Sequence, residues 1–185
     1  MKNILRKKLI NVRKKLSWEE VLIKSRKIEH KLFSLKEFKN SSTILFYVSY
    51  NNEVYTHDMI KKCIASDKNV VAPVVDKNNN CLILSRLRRW EDLVVGTYGI
   101  LEPRKEKIDE VSVDDIDLII VPGVGFDEKG YRVGHGMGYY DRLLKLSKVL
   151  HIGLAFEFQI IKSIPHDPYD VPVDIIVTEE KVIYC

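Results

Sequence analysis

Val121-Pro-Gly-Val-Gly-Phe-Asp-Glu-Lys-Gly-Tyr-Arg-Val-Gly-His-Gly-Met-Gly-Tyr-Tyr-Asp-Arg142 is the stretch whose reading decides the fold. The run before it, Asp117-Leu-Ile-Ile-Val121, is apolar after its aspartate, as in a strand buried on both faces. Pro122-Gly123 stops that strand, and Asp127 to Gly130 has the composition of a turn. Gly134, Gly136 and Gly138 then alternate, and Tyr139-Tyr-Asp-Arg-Leu-Leu144 begins a helix. Strand, glycine loop and helix start together suit an anion. Glycines let the backbone approach closely, and unpaired N–H groups at the helix start point at negative charge. No Gly-Lys-Ser/Thr follows, and the spacing is not G-x-G-x-x-G, so neither standard nucleotide fingerprint applies. The residues alone leave a phosphate site and a structural turn both open. Asp141 lies in the first helical turn, where a carboxylate can hold magnesium or merely complement the helix dipole.

Outward from this stretch, strands alternate with helices. Thr43–Tyr50, Val70–Val74, Cys81–Ser85, His151–Phe156 and Asp174–Thr178 read as strands, with Lys181–Cys185 closing the chain. His57–Ala65 reads as a helix, Arg86–Val95 is ambiguous, and Gln159–Ile164 is a short helix or turn. At the start, Met1–Leu16 reads as a helix with Leu5, Leu9, Val12 and Leu16 as its apolar stripe, leaving Arg6 and Arg13 largely off it. Ser17 with Glu20 forms a capping-box pattern for a second helix, which carries Val21, Ser25, Ile28, Leu32 and Leu35 on one face. The expected architecture is one domain over residues 1–185. It is a three-layer α/β/α fold with a mostly parallel central sheet and the N-terminal helices packed on it. Ligands of such sheets bind at the carboxyl ends of the strands.

Composition narrows the class. The chain has 185 residues, 30% of them charged and 45% hydrophobic, with a net charge of +4. No apolar run is long enough to span a bilayer, and the basic start lacks the apolar core of a secretion signal. Cys63, Cys81 and Cys185 are scattered, which suits a reducing cytoplasm and matches no metal spacing. Residues 1–39 hold 13 Lys/Arg against 4 Asp/Glu, whereas the remainder holds 17 against 22. The basic section serves either a polyanion or a solvated helix face, and Glu19, Glu20 and Glu29 interrupt it, which disfavours a nucleic-acid reader.

Pro122-Gly-Val-Gly-Phe-Asp-Glu-Lys-Gly-Tyr-Arg-Val-Gly-His-Gly-Met-Gly-Tyr-Tyr-Asp-Arg142 resembles the signature of the 5-formyltetrahydrofolate cyclo-ligase family. Lys2–Arg6, Glu53-x-x-Thr56, Gly99-Ile-Leu-Glu-Pro103, Gly153–Gln159, Pro165-His-Asp167 and Val173–Glu179 resemble other family segments in the same order. The resemblance implies ATP- and magnesium-dependent cyclisation of 5-formyltetrahydrofolate to 5,10-methenyltetrahydrofolate through a phosphorylated formyl group, releasing ADP and phosphate. It implies catalytic roles for Lys2, Arg6, Arg132 and His135. ATP would be held by Lys2, Asn3, Ile4, Leu5 and Arg6, and by Arg132, Val133, Gly134, His135, Gly136, Met137, Gly138, Tyr139 and Tyr140. Folate would be held by Val48, Glu53, His135, Gly136, Met137, Gly138 and Tyr139, with Trp90 a weaker stacking candidate. Magnesium would be held by Asp141 and Asp174. The implied partners are small molecules, not nucleic acid or membrane, and the implied state is a monomer or weak homodimer. His135 stands where the family usually has a cation such as arginine, and Met137 where it tends to have glycine or lysine. A sugar-phosphate isomerase-like enzyme and a non-catalytic folate-binding relative are the alternatives.

Overall fold

The computed structural model describes residues 2–185, so Met1, where the N-terminal helix is expected to begin, lies outside the described residues. Helix α1 spans Lys2–Lys14, α2 Trp18–Ser34 and α3 Lys36–Asn40. The Ser17–Glu20 capping box forms as expected: Ser17 Oγ accepts from Glu20 N at 3.2 Å, and Glu20 Oε2 from Ser17 N at 2.7 Å. Strand β1 (Thr43–Leu45), α4 (His57–Ala65), β2 (Asn69–Asp76) and β3 (Cys81–Leu87) follow. A small hairpin, β4 (Leu93–Val95) with β5 (Leu101–Pro103), precedes β6 (Leu118–Val121). Then come β7 (Gly125–Asp127), β8 (Arg132–Val133), α5 (Tyr139–Leu146), β9 (Leu150–Leu154), β10 (Ile160–Ile161), β11 (Ile175–Val177) and β12 (Val182–Tyr184).

The main sheet has the order β12-β11-β9-β6-β1-β2-β3. Its five inner strands run parallel, and only the edge strands β12 and β3 are antiparallel. Alternation along the strands divides the core. Ile44, Val70, Leu118, Ile120 and Ile152 pack with Ile28, Leu32, Met59 and Ile60 of α2 and α4. Leu45, Val71, Ile119, Val121 and Ile176 pack on the other face with Leu143 and Leu144 of α5. The sheet is thus covered on both faces, in the three-layer form expected. Of the described helices, none is long and apolar enough to cross a membrane.

Several expectations are corrected. The Thr43–Tyr50 strand stays in the ladder only to Leu45, although Phe46 N still reaches Val71 O at 3.0 Å. Beyond it, Ser49 and Thr56 exchange side-chain bonds with each other's N–H, and Thr56 Oγ1 donates to Tyr47 O. These bonds replace the ladder and fold the segment into a buried bend. A three-stranded sheet, β10-β7-β8, was not foreseen, because its strands are too short to show a period. Helix α1 covers this small sheet, with Leu9 against Val124, Val133 and Ile164. Its face is rotated from the expected stripe: Val12 is exposed and Arg13 is buried.

The chain leaves β1 towards β2 on one side and returns through β6 on the other, so β1 and β6 mark the point where strand order reverses. A crevice opens outside the carboxyl ends of strands at such a point. Gln159 shapes the turn after β6, its Nε2 donating to Gly123 O at 3.0 Å and Val124 O at 2.9 Å.

Candidate active site

The crevice at the switch point is a cavity of about 550 Å³. Tyr47, Val48, Tyr50 and Glu53 enter it from the bend after β1, Pro122 from the end of β6, and Pro73 and Val75 from β2. The whole segment Arg132–Arg142 forms one wall, and Lys2 and Arg6 of α1 reach in from the small sheet.

Helix α5 begins at Gly138, whose φ of +69° is left-handed. Gly136 has φ +103°. Both conformations favour glycine, which accounts for two of the three alternating glycines. Arg6 fixes this loop from below: its Nε donates to Gly134 O at 2.6 Å, and a Cβ built on Gly136 would lie 3.6 Å from its guanidinium, in ordinary contact. On the helix side, Arg142 Nη2 donates to Met137 O at 2.9 Å and its Nε to Asn80 O at 2.7 Å. The loop is thus held open at both flanks, with the α5 N-terminus facing the cavity.

Around it lies a charged cluster. Arg132, buried in β8, donates to Asp141 Oδ1 at 2.8 Å and to Val171 O at 2.7 Å. Burial pushes its guanidinium below the usual arginine range, and Asp141 opposes that shift. Lys2 bonds Asp170 and lies 3.4 Å from Asp167. Burial alone would raise the Asp170 carboxyl, but its bonds from Lys2 and the Asp167 N–H hold it below the usual aspartate range. The expected phosphate cations therefore do line the cavity, each matched to a carboxylate or a carbonyl.

The other part of the cavity is apolar with one acceptor. Glu53 is 7% exposed. Its Oε2 accepts from Tyr50 N at 3.2 Å, and its Oε1 faces His135 Nε2 at 3.2 Å. The glycine wall thus touches Arg6 through Gly134 and Glu53 through His135. Tyr140 Oη is buried without a hydrogen-bond partner among the described residues, and burial raises its phenol well above the ordinary value.

Other expected site residues fall elsewhere. Asp174 precedes β11 at the end of the sheet opposite the crevice, where its Oδ2 accepts from His151 N at 2.8 Å. It ties β9 to β11 and cannot meet Asp141 at one ion. Trp90 lies tilted against His57, ring centres 4.8 Å apart, under Lys61, and does not line the cavity. Ile4 is 76% exposed. Leu5 packs at the small sheet and Asn3 Oδ1 accepts from Arg6, so neither lines the cavity. Among the described residues, no group of three or more His, Cys, Asp or Glu is arranged to hold a metal. Magnesium needs only one or two carboxylates when substrate phosphates supply the rest. Asp141 fits that pattern.

The sequence reading missed Tyr98, Glu102, Asp170 and Lys145, which all line the cavity. Tyr98 precedes the recognised Gly99–Pro103 motif and Glu102 lies within it, where no site role was assigned to it. Glu102 is buried and accepts from Val75 N and Thr97 N, fixing the β4–β5 hairpin over the cavity. Asp170 lies in the proline-bordered loop, where only its spacing from Asp167 gave a signal.

Comparison with known proteins follows the same outline. The model of the 5-formyltetrahydrofolate cyclo-ligase family matches residues 1–179. A mouse 5-formyltetrahydrofolate cyclo-ligase is 32% identical over 176 residues, covering 89% of this chain and 87% of the relative. The NMR structure of Aquifex aeolicus 5,10-methenyltetrahydrofolate synthetase superposes with a TM-score of 0.88 at 40% identity, covering 99% of this chain and 92% of that one. A Mycoplasma pneumoniae 5,10-methenyltetrahydrofolate synthetase gives 0.78 at 28% identity, covering 96% and 98%.

Proposed function

The chain belongs to the 5-formyltetrahydrofolate cyclo-ligase family, and from that premise we propose that it closes 5-formyltetrahydrofolate to 5,10-methenyltetrahydrofolate at the expense of ATP, with magnesium. The observation that carries the reading is the double contact of the glycine wall. It meets a cationic, backbone-donor region through Arg6 and a buried carboxylate acceptor through Glu53. A triphosphate and a pterin would therefore meet along one wall.

The formamide oxygen is a poor leaving group. Attack of that oxygen on the terminal phosphorus of ATP breaks the bond to the bridging oxygen and releases ADP. The resulting imidoyl phosphate carries an electrophilic carbon. Nitrogen 10 attacks it, the ring closes, the C–O bond breaks, and inorganic phosphate departs while nitrogen 10 loses its proton. Such a transfer asks the protein for positioning and charge neutralisation, not for a nucleophile.

Lys2 and Arg6 neutralise the phosphates, and the Gly134–Tyr140 backbone cradles them at the α5 N-terminus. Arg132 is positioned by Asp141 and Val171 to hold this wall. Glu53 accepts from pterin N–H groups, while Val48, Tyr47 and Tyr98 supply apolar and aromatic surface for the ring. Asp141 would hold magnesium together with the phosphates, where the ion neutralises developing charge. His135 supplies a donor at the place where the two substrates adjoin. All these groups come from one chain, so a monomer suffices, and three free cysteines suit a reducing cytoplasm.

The test is absorbance at the methenyl product band with purified protein and 5-formyltetrahydrofolate, with ATP and magnesium each added or withheld. A rise that needs both supports the reading. Folate binding without turnover would mark a non-catalytic relative, and turnover without ATP would overturn the phosphorylated intermediate.

A further inference from the structure

Arg13 is a buried charge that no step above uses. It lies on α1 with 2% of its surface exposed, and its Nε and Nη1 find no hydrogen-bond partner among the described residues. Buried donors without partners are rare and call for an explanation. The guanidinium Nη1 stands 3.7 Å from Glu53 Oε1, close enough to compensate charge but too far for a hydrogen bond. Its field also reaches the phenols of Tyr47 and Tyr50, so the charge sits behind the substrate-facing bend. Asn52 Nδ2 bonds the carbonyls of Arg13 and Leu16 and ties that bend to the end of α1.

We infer that Arg13 is a positioning residue for substrate recognition. It keeps Glu53 aimed into the cavity without using up the carboxylate's acceptor sites. A direct two-bond ion pair would occupy an acceptor position on each oxygen. A carboxylate left alone at this depth would carry an uncompensated charge and turn away. The 3.7 Å separation avoids both. The groups facing Glu53 are then Arg13 from α1, Tyr50 N–H from its own bend, and His135 from the glycine wall. His135 is 38% exposed at its side chain and is the partner that substrate N–H groups displace. The same helix thus serves both substrates, Lys2 and Arg6 the phosphates and Arg13 the pterin side. This inference rests on the reading that Glu53 accepts from the folate.

Calorimetry of 5-formyltetrahydrofolate without ATP, and of ATP without folate, tests it in the full chain. Arg13→Met is expected to weaken folate binding roughly tenfold or more and leave ATP binding within about twofold. Arg13→Lys, which keeps the charge, recovers most of the loss. Added to Glu53→Gln, Arg13→Met costs little more, because the carboxylate it acts through is gone. Equal losses for both ligands, unchanged folate binding, or full additivity with Glu53→Gln would each overturn the inference. Should Arg13→Met not fold, Arg13→Lys carries the test, since its smaller loss must still be folate-selective and vanish with Glu53→Gln. Normal folate binding by Glu53→Gln alone would overturn the Glu53 reading itself, which is a separate failure.

Discussion

Arg132 Nη2 and Asp141 Oδ1 lie 2.8 Å apart, joining the small sheet to the first turn of α5 across the glycine loop. The two partners differ in exposure, 4% for the arginine side chain and 34% for the aspartate. Asp141 can therefore turn towards a ligand while Arg132 stays fixed by Val171 O. Asp141→Asn is expected to cut kcat by roughly a hundredfold or more. Its effect on stability is about 1 kcal/mol, because the Asp141 side of the pair is open to solvent and asparagine still accepts from Arg132. Steady-state rates with a thermal melt check both; a large melting shift with normal kcat would make Asp141 structural only.

Gly138→Ala tests the loop. A Cβ there would lie 2.9 Å from Arg142 Nη1, on a residue with φ +69°. The strain is about 1–2 kcal/mol, or some 3–6 °C in Tm. Because Arg142 also holds Met137 O, the KM for ATP should rise with it. A lowered Tm with an unchanged KM for ATP would separate the loop's shape from phosphate binding.

Tyr98 and Trp90 make a contrasting pair. Tyr98 lines the cavity and Trp90 does not. Tyr98→Ala should raise the KM for 5-formyltetrahydrofolate by up to about tenfold. Trp90→Ala should lose its packing beside His57 and against the core and its contact with Lys61, seen in the melt, with little change in that KM. The reverse pattern would return Trp90 to the site.

The Lys2–Asp170 pair predicts a pH window. Asp170 is held below its ordinary pKa, so its contribution is present above about pH 4 and fades as pH falls through the folded value. Lys2 is raised by its two aspartates despite the opposing effect of burial, so its contribution is present below about pH 10 and is lost above the ordinary lysine value, as pH rises through the folded one. The Tm difference between the native chain and Asp170→Asn should be flat between these limits and shrink at both ends. A difference that grows towards acid would contradict the pairing.

His57 is half-buried and His151 buried, and burial lowers both pKa values below the ordinary histidine value. In the window below about pH 6.5 the unfolded chain binds more protons there than the folded one, so stability falls as pH falls. His57→Gln should flatten part of that slope in a melt series between pH 5 and 7, a range taken about the ordinary histidine value. An unchanged slope would remove His57 from the account.

Much of this was legible in the chain. The Ser17–Glu20 box and the His57–Ala65 helix appear where side-chain chemistry placed them, and apolar runs gave the parallel sheet. The glycine segment located the crevice. What stayed hidden depends on contacts between distant segments. Arg13 looks like one more basic residue until α1 is docked on the small sheet, which turns its face inward. Asp174 looks like a possible ligand until strand direction places it at the wrong end of the sheet. Tyr98 has φ +58° in a short turn, and no local pattern announces that it points into a cavity.

The crevice joins parts of the chain that are far apart in sequence. Lys2 meets Asp170 across 168 positions, Arg6 meets Gly134 across 128, and His135 meets Glu53 across 82. Contacts of such separation form late, because the closure entropy of the whole loop precedes them. On the ribosome, α1 is made before the other described elements, yet Lys2 has no Asp170 to meet until 168 further positions have been added. Synthesis thus yields a nascent chain whose sheet can begin to assemble well before it can bind anything, and ligand present in the cell stabilises only the finished molecule.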